Sequence, residues 1–268
     1  MTERERPPRL RDQSINRLIP NMLTVMALCA GLTSMLYALQ GRWEPAVIAI
    51  VAAGVLDGLD GRIARLLNGQ SKFGAELDSL SDFISFGVAP ALLLYQWQLA
   101  QLKGLGWAVT MAFAVCCALR LARFNTKLDN SDLPAWTSRF FVGVPAPAGA
   151  GLALIPVMAT FELGPGYLDH PFFVGAVELV VALLMVSRLP TYSIKRIRIP
   201  HRHVMAALLV FGLLAATLVS IPWITLLGVG AVYLGSMPIA VVAHRRLSAQ
   251  QPVPSGAETD VPRDTPVE

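Results

Sequence analysis

The chain has 268 residues, of which 54% are hydrophobic and only 15% are charged. An average soluble domain carries about 25% charged residues, so the composition excludes an ordinary soluble protein and indicates a membrane protein. The net charge of +4 does not indicate nucleic-acid binding, because the basic residues fall between long apolar runs rather than in one patch.

Apolar runs long enough to cross a bilayer, about 20 residues each, follow one another along the chain. They predict an all-α, polytopic bundle of about eight transmembrane helices in a lipid bilayer. The sixth run is short, and the last two are joined by a very tight turn, so six spans with a re-entrant final pair remain the alternative. The eight runs are Ile19–Leu39, Pro45–Leu66, Asp82–Leu102, Gly106–Ala122, Val144–Phe161, Phe172–Val186, Val204–Ile221 and Trp223–Ala243.

The basic residues predict how the bundle is oriented. If the N-terminus is cytoplasmic, all 22 Lys and Arg residues except Arg42 and Lys103 lie on the cytoplasmic side of the predicted spans. Positive charge accumulates in cytoplasmic loops. We therefore expect both termini inside, with the cytoplasmic ends of spans two and three facing each other.

The two ends of the chain differ from its apolar middle. Residues 1–16 form a polar N-terminal arm, and residues 248–268 are rich in Pro and small polar residues. Such a composition cannot bury enough apolar surface to fold, and it predicts a disordered cytoplasmic tail. Residues 17–247 are then expected to form one membrane domain.

Four aspartates lie between the second and third apolar runs, in the stretch LDGLDGRIARLLNGQSKFGAELDSLSDFISFG. Asp57 and Asp60 are three residues apart and Asp78 and Asp82 are four apart, so each pair shares one face of a helix. If the loop after the second span returns the chain beside itself, the four carboxylates converge just below the cytoplasmic surface.

Four unpaired carboxylates at close range would repel one another or take up protons. Divalent cations remove that repulsion, and oxygen ligands without His or Cys favour Mg²⁺ or Mn²⁺, with Ca²⁺ possible. Two such ions would form a clamp for phosphoryl transfer. Salt bridges to nearby Arg residues and an ion path through the membrane are the alternatives.

Small residues lie beside the acids. Gly61 and Ala64 remove bulk from the helix, so that a large ligand can approach the backbone, although helix packing explains small residues as well. Arg65 lies one turn beyond Gly61, where it can meet an anion. Gly69 and Gly74 are expected to loosen the connecting loop.

The acidic stretch has the spacing D-x2-D-G-x2-A-R-x8-G-x3-D-x3-D, which resembles the signature of the CDP-alcohol phosphotransferases. Further stretches resemble the membrane-embedded, bacterial-type phosphatidylserine synthases of that family, namely IPNMLTV, SDFISFGVAPALLLY, RLARFN, FFVGVPAPAGAG and LPTYSIKRI. The residues that match the signature are Asp57, Asp60, Gly61, Ala64, Arg65, Gly74, Asp78 and Asp82.

This resemblance implies a reaction in which CDP-diacylglycerol donates its phosphatidyl group to the hydroxyl of L-serine and CMP is released. It implies two divalent ions, Mg²⁺ or Mn²⁺, held by the four aspartates, with Asp82 also the general base. It further implies a homodimer in the bacterial inner membrane, with the active site facing the cytoplasm. The implied nucleotide contacts are Gly61, Ala64, Arg65, Gly74, Ser71, Asn21 and Thr24.

The acceptor site is the least defined part of the prediction. The serine carboxylate needs a cation, and Arg120 and Arg123 end an apolar span three residues apart, so they can share a face. No Cys, His or Ser arrangement predicts a covalent intermediate, so direct displacement is expected. The first alternative is the same chemistry on choline, glycerol 3-phosphate or an inositol phosphate, and the second is a cation transporter.

Overall fold

The computed structural model of the chain describes residues 15–67, 69, 71–128, 140–166, 168–187, 190–192 and 204–249. Within these residues the chain is predominantly helical, as its apolar runs predicted. Residues 248 and 249 of the predicted tail end the last helix, and residues 15 and 16 of the predicted arm begin the first, while the rest of both segments lies outside the described residues. The α-helices are α1 (Ile15–Leu39), α2 (Trp43–Leu66), α3 (Lys72–Asp82), α4 (Ala89–Trp97), α5 (Gly104–Leu128), α6 (Ala146–Ala153), α7 (Ile155–Leu163), α8 (Pro171–Val186), α9 (Val204–Ser220) and α10 (Pro222–Ala249).

The helices follow the predicted runs closely, with two differences. The third run was predicted to begin at Asp82, but its helix begins at Lys72 and continues through a π-helical segment, Phe83–Val88, into α4. The fifth run is divided into α6 and α7, and Pro156 stands in the first turn of α7. Proline has no backbone N–H to continue the preceding helix, so the interruption falls where the sequence places it.

Five of the described helical segments are long and apolar enough to cross a membrane. α8 and α9 are also apolar but shorter, with 16 and 17 residues. α2 has 24 residues and carries the charged stretch at its end. The chain is therefore a membrane-embedded helical protein. The five segments are Leu18–Leu39, Lys72–Trp97, Gly104–Thr126, Ala146–Leu163 and Pro222–Ile239.

Two short strands add a feature that the apolar pattern did not predict. β1 (Phe140–Val142) pairs antiparallel with β2 (Pro190–Tyr192), just before α6 and just after α8. The backbone bends directly after β1 at Gly143, whose φ is 81°. A Cβ there would lie 2.5 Å from the carbonyl oxygen of Met185, so only glycine fits. The pair ties the chain entering α6 to the end of α8.

Small residues allow α1 and α2 to pack closely. Ala46 and Ala53 on α2 and Ala27 and Ala38 on α1 are buried in the core between the helices. Small side chains let two helix backbones approach each other. The short connection after α1 makes the two helices antiparallel, so the beginning of α1 lies beside the acidic end of α2.

The π-helical segment directly after Asp82 is held between α1 and α5. On one side Ser85 donates a hydrogen bond to the Ala27 carbonyl, 3.2 Å away, and a Cβ on Gly31 would lie 2.9 Å from the Ser85 Cα. On the other side a Cβ on Gly87 would lie 3.1 Å from the Cys117 Sγ. Such segments are frequent at functional sites, and here the close contacts fix the helix that carries Asp82.

Candidate active site

Three of the four aspartates meet at one end of the bundle. Asp57 and Asp60 come from the last turns of α2 and Asp78 from the middle of α3. One carboxylate oxygen from each residue lies within 4.8 Å of the other two. Asp60 is buried, with 4% of its surface exposed, whereas Asp57 and Asp78 are half-buried.

Asp82 lies beside this triad rather than within it. Its carboxyl group is within hydrogen-bonding range of Asp57 and interacts electrostatically with Asp78 and with the guanidinium of Arg120. Asp82 is four positions after Asp78 on one helix, which places it about 6 Å further along the axis. The geometry therefore distinguishes a group of three close acids from a fourth that lies beside Asp57, and Arg120 interacts electrostatically with both Asp57 and Asp82.

Thr24 on α1 holds Asp60 in place. The Thr24 hydroxyl donates to Oδ2 of Asp60 at 2.7 Å, and the Thr24 carbonyl accepts a hydrogen bond of 3.1 Å from Ser81 on α3. Thr24 was predicted to contact a nucleotide. The structure gives its hydroxyl a carboxylate partner, so that Thr24 connects α1 to both acid-bearing helices, and the nucleotide contact stays a prediction.

The beginning of α3 corrects the prediction that Gly74 loosens a loop. Ser71 is the N-cap of α3, and its Oγ accepts a hydrogen bond of 3.0 Å from the Gly74 backbone N–H. Gly74 therefore lies in the first helical turn. A Cβ at this position would approach Oδ1 of Asn21 to 2.8 Å, so the glycine admits the Asn21 side chain. Asn21, Ser71 and Gly74, all predicted nucleotide contacts, form one junction between α1 and α3.

The face of α2 beside the acids is open. A Cβ on Gly58 or Gly61 would meet no other described atom within 4 Å, and both glycines are exposed. Ala64 is half-buried and Arg65 is exposed one turn further on. These glycines therefore do not serve helix packing among the described residues, and they leave room for a ligand to reach the backbone next to Asp57 and Asp60.

The two arginines predicted to bind the acceptor have different surroundings. Arg120 is half-buried and interacts electrostatically with Asp82 and Asp57. Arg123 donates a hydrogen bond of 2.7 Å from Nη1 to the carbonyl oxygen of Val186, the last residue of α8. A cation at a helix C-terminus satisfies carbonyls that lack a partner within the helix. Arg120 thus faces the acids and Arg123 caps a neighbouring helix.

Residues outside the signature also reach this end of the bundle. Tyr233 on α10 interacts electrostatically with Arg120. Asn125 on α5 donates a hydrogen bond of 2.9 Å to Oγ of Ser79, the residue after Asp78. Tyr233, Asn125 and Ser79 were not predicted as site residues from the sequence. Asn125 belongs to the RLARFN stretch, which was the available signal, whereas the position of Tyr233 depends on how α10 packs.

An apolar cavity of about 240 Å³ lies between α2, α6, α7 and α10. Gly54 in its wall is one turn before Asp57, and Tyr233 is also part of its lining. The cavity therefore begins next to the acidic site and continues among apolar side chains. The other lining residues are Val47, Ile50, Val51, Phe86, Pro147, Ala148, Gly151, Leu152, Leu154, Met158, Leu226, Val229 and Gly230.

The chemistry of the acidic cluster fits a divalent metal ion. Its donor atoms are carboxylate oxygens, without His or Cys, which is the ligand set preferred by Mg²⁺ and Mn²⁺. The three oxygens are close enough to share an ion, and the adjoining face of α2 is open to a second ligand. Fold and site together define a membrane-embedded protein with a carboxylate cluster, suited to hold a metal ion, at one end of its helices.

Comparison with known proteins gives the family. Residues 17–187 match the CDP-alcohol phosphatidyltransferase family, and residues 202–238 match the description CDP-alcohol phosphatidyltransferase 2. The chain belongs to the CDP-alcohol phosphatidyltransferase family.

Several curated relatives carry the name CDP-diacylglycerol–serine O-phosphatidyltransferase. The protein of Mycobacterium leprae is 37% identical over 242 residues, covering 90% of this chain and 80% of that protein. The protein of Mycobacterium tuberculosis is 39% identical, covering 88% and 82%. The protein of Bacillus subtilis is 33% identical over 171 residues, covering 64% of this chain and 88% of that protein.

Proposed function

We propose that the chain transfers the phosphatidyl group of CDP-diacylglycerol to the hydroxyl of L-serine, giving phosphatidylserine and CMP. The observation that carries this proposal is the triad of Asp57, Asp60 and Asp78 at an open helix face, in a chain whose relatives are named for that reaction. Membership of the family also removes the support for a cation transporter.

The donor would bind with its pyrophosphate at the acids and its acyl chains in apolar surroundings. Asp57, Asp60 and Asp78, with Asp82 beside them, would hold two divalent ions that neutralise the charge of the pyrophosphate and of the departing CMP. Gly61 allows the nucleotide to approach the helix, and exposed Arg65 can contact a phosphate oxygen. The apolar cavity next to Asp57 suits part of an acyl chain.

The transfer requires one proton to be removed from serine. The serine hydroxyl oxygen forms a bond to the β-phosphorus, which carries the diacylglycerol, while the bond from that phosphorus to the oxygen of CMP breaks. Asp82 accepts the hydroxyl proton in this step and later returns it to solvent. Its position next to the triad supports this role, because a phosphate bound at the triad would lie beside Asp82, and direct displacement needs no covalent intermediate.

Arg120 is the better candidate for binding the acceptor. Its guanidinium adjoins Asp82, so a serine carboxylate bound to Arg120 would bring the serine hydroxyl to the proposed base. Arg123 is occupied by the end of α8. We therefore assign acceptor binding to Arg120 and helix capping to Arg123.

The proposed orientation places the acidic end of the bundle in the bacterial cytoplasm, with eight spans, both termini inside and a membrane domain of residues 17–247. The distribution of Lys and Arg supports this arrangement. A reporter fused to the C-terminus should be active only on the cytoplasmic side, and activity only outside would refute the orientation or the span count. Chemical cross-linking in membranes tests the homodimer that the family resemblance implies.

The decisive assay supplies purified protein with CDP-diacylglycerol, Mn²⁺ and one labelled alcohol at a time. L-Serine should give labelled lipid and equimolar CMP, whereas choline, glycerol 3-phosphate and inositol phosphate should not. Asp57→Asn serves as the inactive control. Labelled lipid from glycerol 3-phosphate but not from serine would overturn the acceptor assignment while leaving the reaction class in place.

A further inference from the structure

The short helix α3 is attached to its neighbours by two serines. Ser81 donates a hydrogen bond of 3.1 Å to the Thr24 carbonyl on α1. Ser79 accepts a hydrogen bond of 2.9 Å from Nδ2 of Asn125 on α5, while its own hydroxyl is 3.0 Å from the Ala75 carbonyl. Ser79 can therefore donate within its own helix and accept from Asn125 at the same time.

These two attachments lie on either side of the acids. Successive helical residues are rotated by about 100°, so Ser81 lies about 60° to one side of Asp78 and Ser79 about 100° to the other. By the same geometry Asp82 lies about 40° from Asp78, inside the arc between the serines. The bonds to α1 and α5 thus fix the rotation of α3 that directs both aspartates toward α2.

Electrostatic repulsion between the carboxylates opposes this rotation of α3. One oxygen from Asp78 lies within 4.8 Å of oxygens from Asp57 and Asp60, and like charges at that range repel each other. α3 has only 11 residues. A neutral amide is suited to hold it, because Asn125 contributes a hydrogen bond without the positive charge that would compete with a metal ion.

We propose that Asn125 is a positioning residue, which through Ser79 holds α3 in the rotation that presents Asp78 and Asp82 to the metal site. Asn125 touches neither metal nor substrate in this role. The same bond connects α3 to α5, the helix that carries Arg120, so it also sets the distance between the acids and the proposed acceptor-binding residue. This inference rests on the proposed function.

The test compares Ser79→Ala, Asn125→Ala and the double variant in detergent-purified protein. Mn²⁺ binding is measured directly by electron paramagnetic resonance, and the Mn²⁺ dependence of CMP release is measured separately. Each single variant should bind Mn²⁺ about five- to tenfold more weakly, the scale of one lost neutral hydrogen bond. Turnover at saturating Mn²⁺ should stay close to that of the unchanged protein.

The double variant should bind Mn²⁺ no more weakly than either single variant, because both changes remove the same bond. Thr126→Ala is the matched control, since Thr126 is the next residue on α5 and, among the described residues, its exposed hydroxyl donates to the nearby Arg123 carbonyl. It should leave Mn²⁺ affinity unchanged. Thermal unfolding of every variant identifies any general loss of structure, and alanine keeps the helix propensity of both positions.

Unchanged Mn²⁺ affinity in Asn125→Ala, or additive losses in the double variant, would overturn the proposal. If Asn125→Ala does not fold, Ser79→Ala removes the same bond and decides the question. Mn²⁺ binding is measured without substrate, so the role of Asn125 and the proposed function can be refuted independently of each other. Absence of serine transfer by the unchanged protein would refute the proposed function, whereas the binding measurement would still decide the role of Asn125.

Discussion

The two halves of α2 have opposite surroundings. In its first half Ala46, Val47 and Ala53 have no exposed surface, and they belong to the hydrophobic core. In its second half Gly58 and Gly61 are exposed and adjoin open space, although the helix continues without a break to Leu66. A single helix therefore passes from a buried half to a face that no other described residue covers at Gly58 and Gly61.

This difference shows how a site is built on a rigid element. The packed half fixes the depth and rotation of α2, because any change would separate small residues that meet α1 at close range. The open half then presents Asp57 and Asp60 at a defined place without needing its own core. Thr24 extends the same support to Asp60 through one hydrogen bond.

Removal of divalent metal should abolish the activity that depends on the open half of α2. Excess chelator should reduce CMP release to background, because the triad would then be three mutually repelling carboxylates with nothing to neutralise the donor pyrophosphate. Mg²⁺ or Mn²⁺ added back should restore activity and raise the thermal unfolding temperature, because the ion binds the folded state. Full activity in excess chelator would contradict the metal assignment.

The second-largest expected effect distinguishes proton transfer from donor binding at the acidic end of the bundle. Asp82→Asn keeps the size of the side chain and one possible ligand oxygen, but it cannot accept a proton. Turnover should fall by about 10²–10⁴-fold, the usual scale for a positioned base, while CDP-diacylglycerol still binds with metal. Asp57→Asn should weaken donor binding as well. Both are measured by calorimetry beside the serine-transfer assay.

Near-normal turnover by Asp82→Asn would exclude Asp82 as the base. A loss of donor binding as complete as that of Asp57→Asn would show instead that Asp82 acts chiefly as a metal ligand. The geometry favours the role of general base for Asp82. Asp82 lies beside the triad and interacts electrostatically with Arg120, and it is not one of the three residues whose oxygens lie close together.

Much of this architecture could be predicted from the sequence, because membrane helices leave a strong signal. An apolar run must be long enough to cross the bilayer, so the predicted runs and the observed helices agree closely. The start of α3 could not be found in this way, since its first turns are polar and depend on the Ser71 cap and on contact with α1. The strands β1 and β2 pair across α6, α7 and α8, which no local pattern reveals.

The acidic residues of the site could be predicted for a similar reason, but the contacts that hold the site together could not. The pair Asp57 and Asp60 and the pair Asp78 and Asp82 each follow helical periodicity, and a charged group at the membrane stands out from its apolar context. The partners of Thr24, Arg123 and Asn125 depend on how neighbouring helices are rotated. That rotation is set by packing and by hydrogen bonds between helices, so it appears only in three dimensions.

A pair of substitutions on α2 tests whether its first half is packed and its second half is open. Ala53→Leu should lower the stability of the fold by about 1–3 kcal/mol, because the larger side chain must enter a packed core. Gly61→Leu should leave stability unchanged or raise it, since the position is open, but it should raise the KM for CDP-diacylglycerol about tenfold by obstructing approach to the helix. Thermal unfolding and donor titration measure the two effects. The same instability in both variants would show that the second half of α2 is packed too.

The smallest expected effect concerns Arg123, which was paired with Arg120 by sequence and separated from it by the structure. Arg123→Ala removes the hydrogen bond to the last carbonyl of α8 and should destabilise the protein by about 1–2 kcal/mol. The KM for serine should not change, because Arg123 contacts a helix end rather than the acids. Arg120→Lys, which keeps the charge but loses the two-pronged contact with a carboxylate, should raise the KM for serine while the KM for the donor stays close to normal. Measured together at saturating CDP-diacylglycerol, the two variants assign the roles independently. A higher serine KM in Arg123→Ala, without loss of stability, would return Arg123 to the acceptor site.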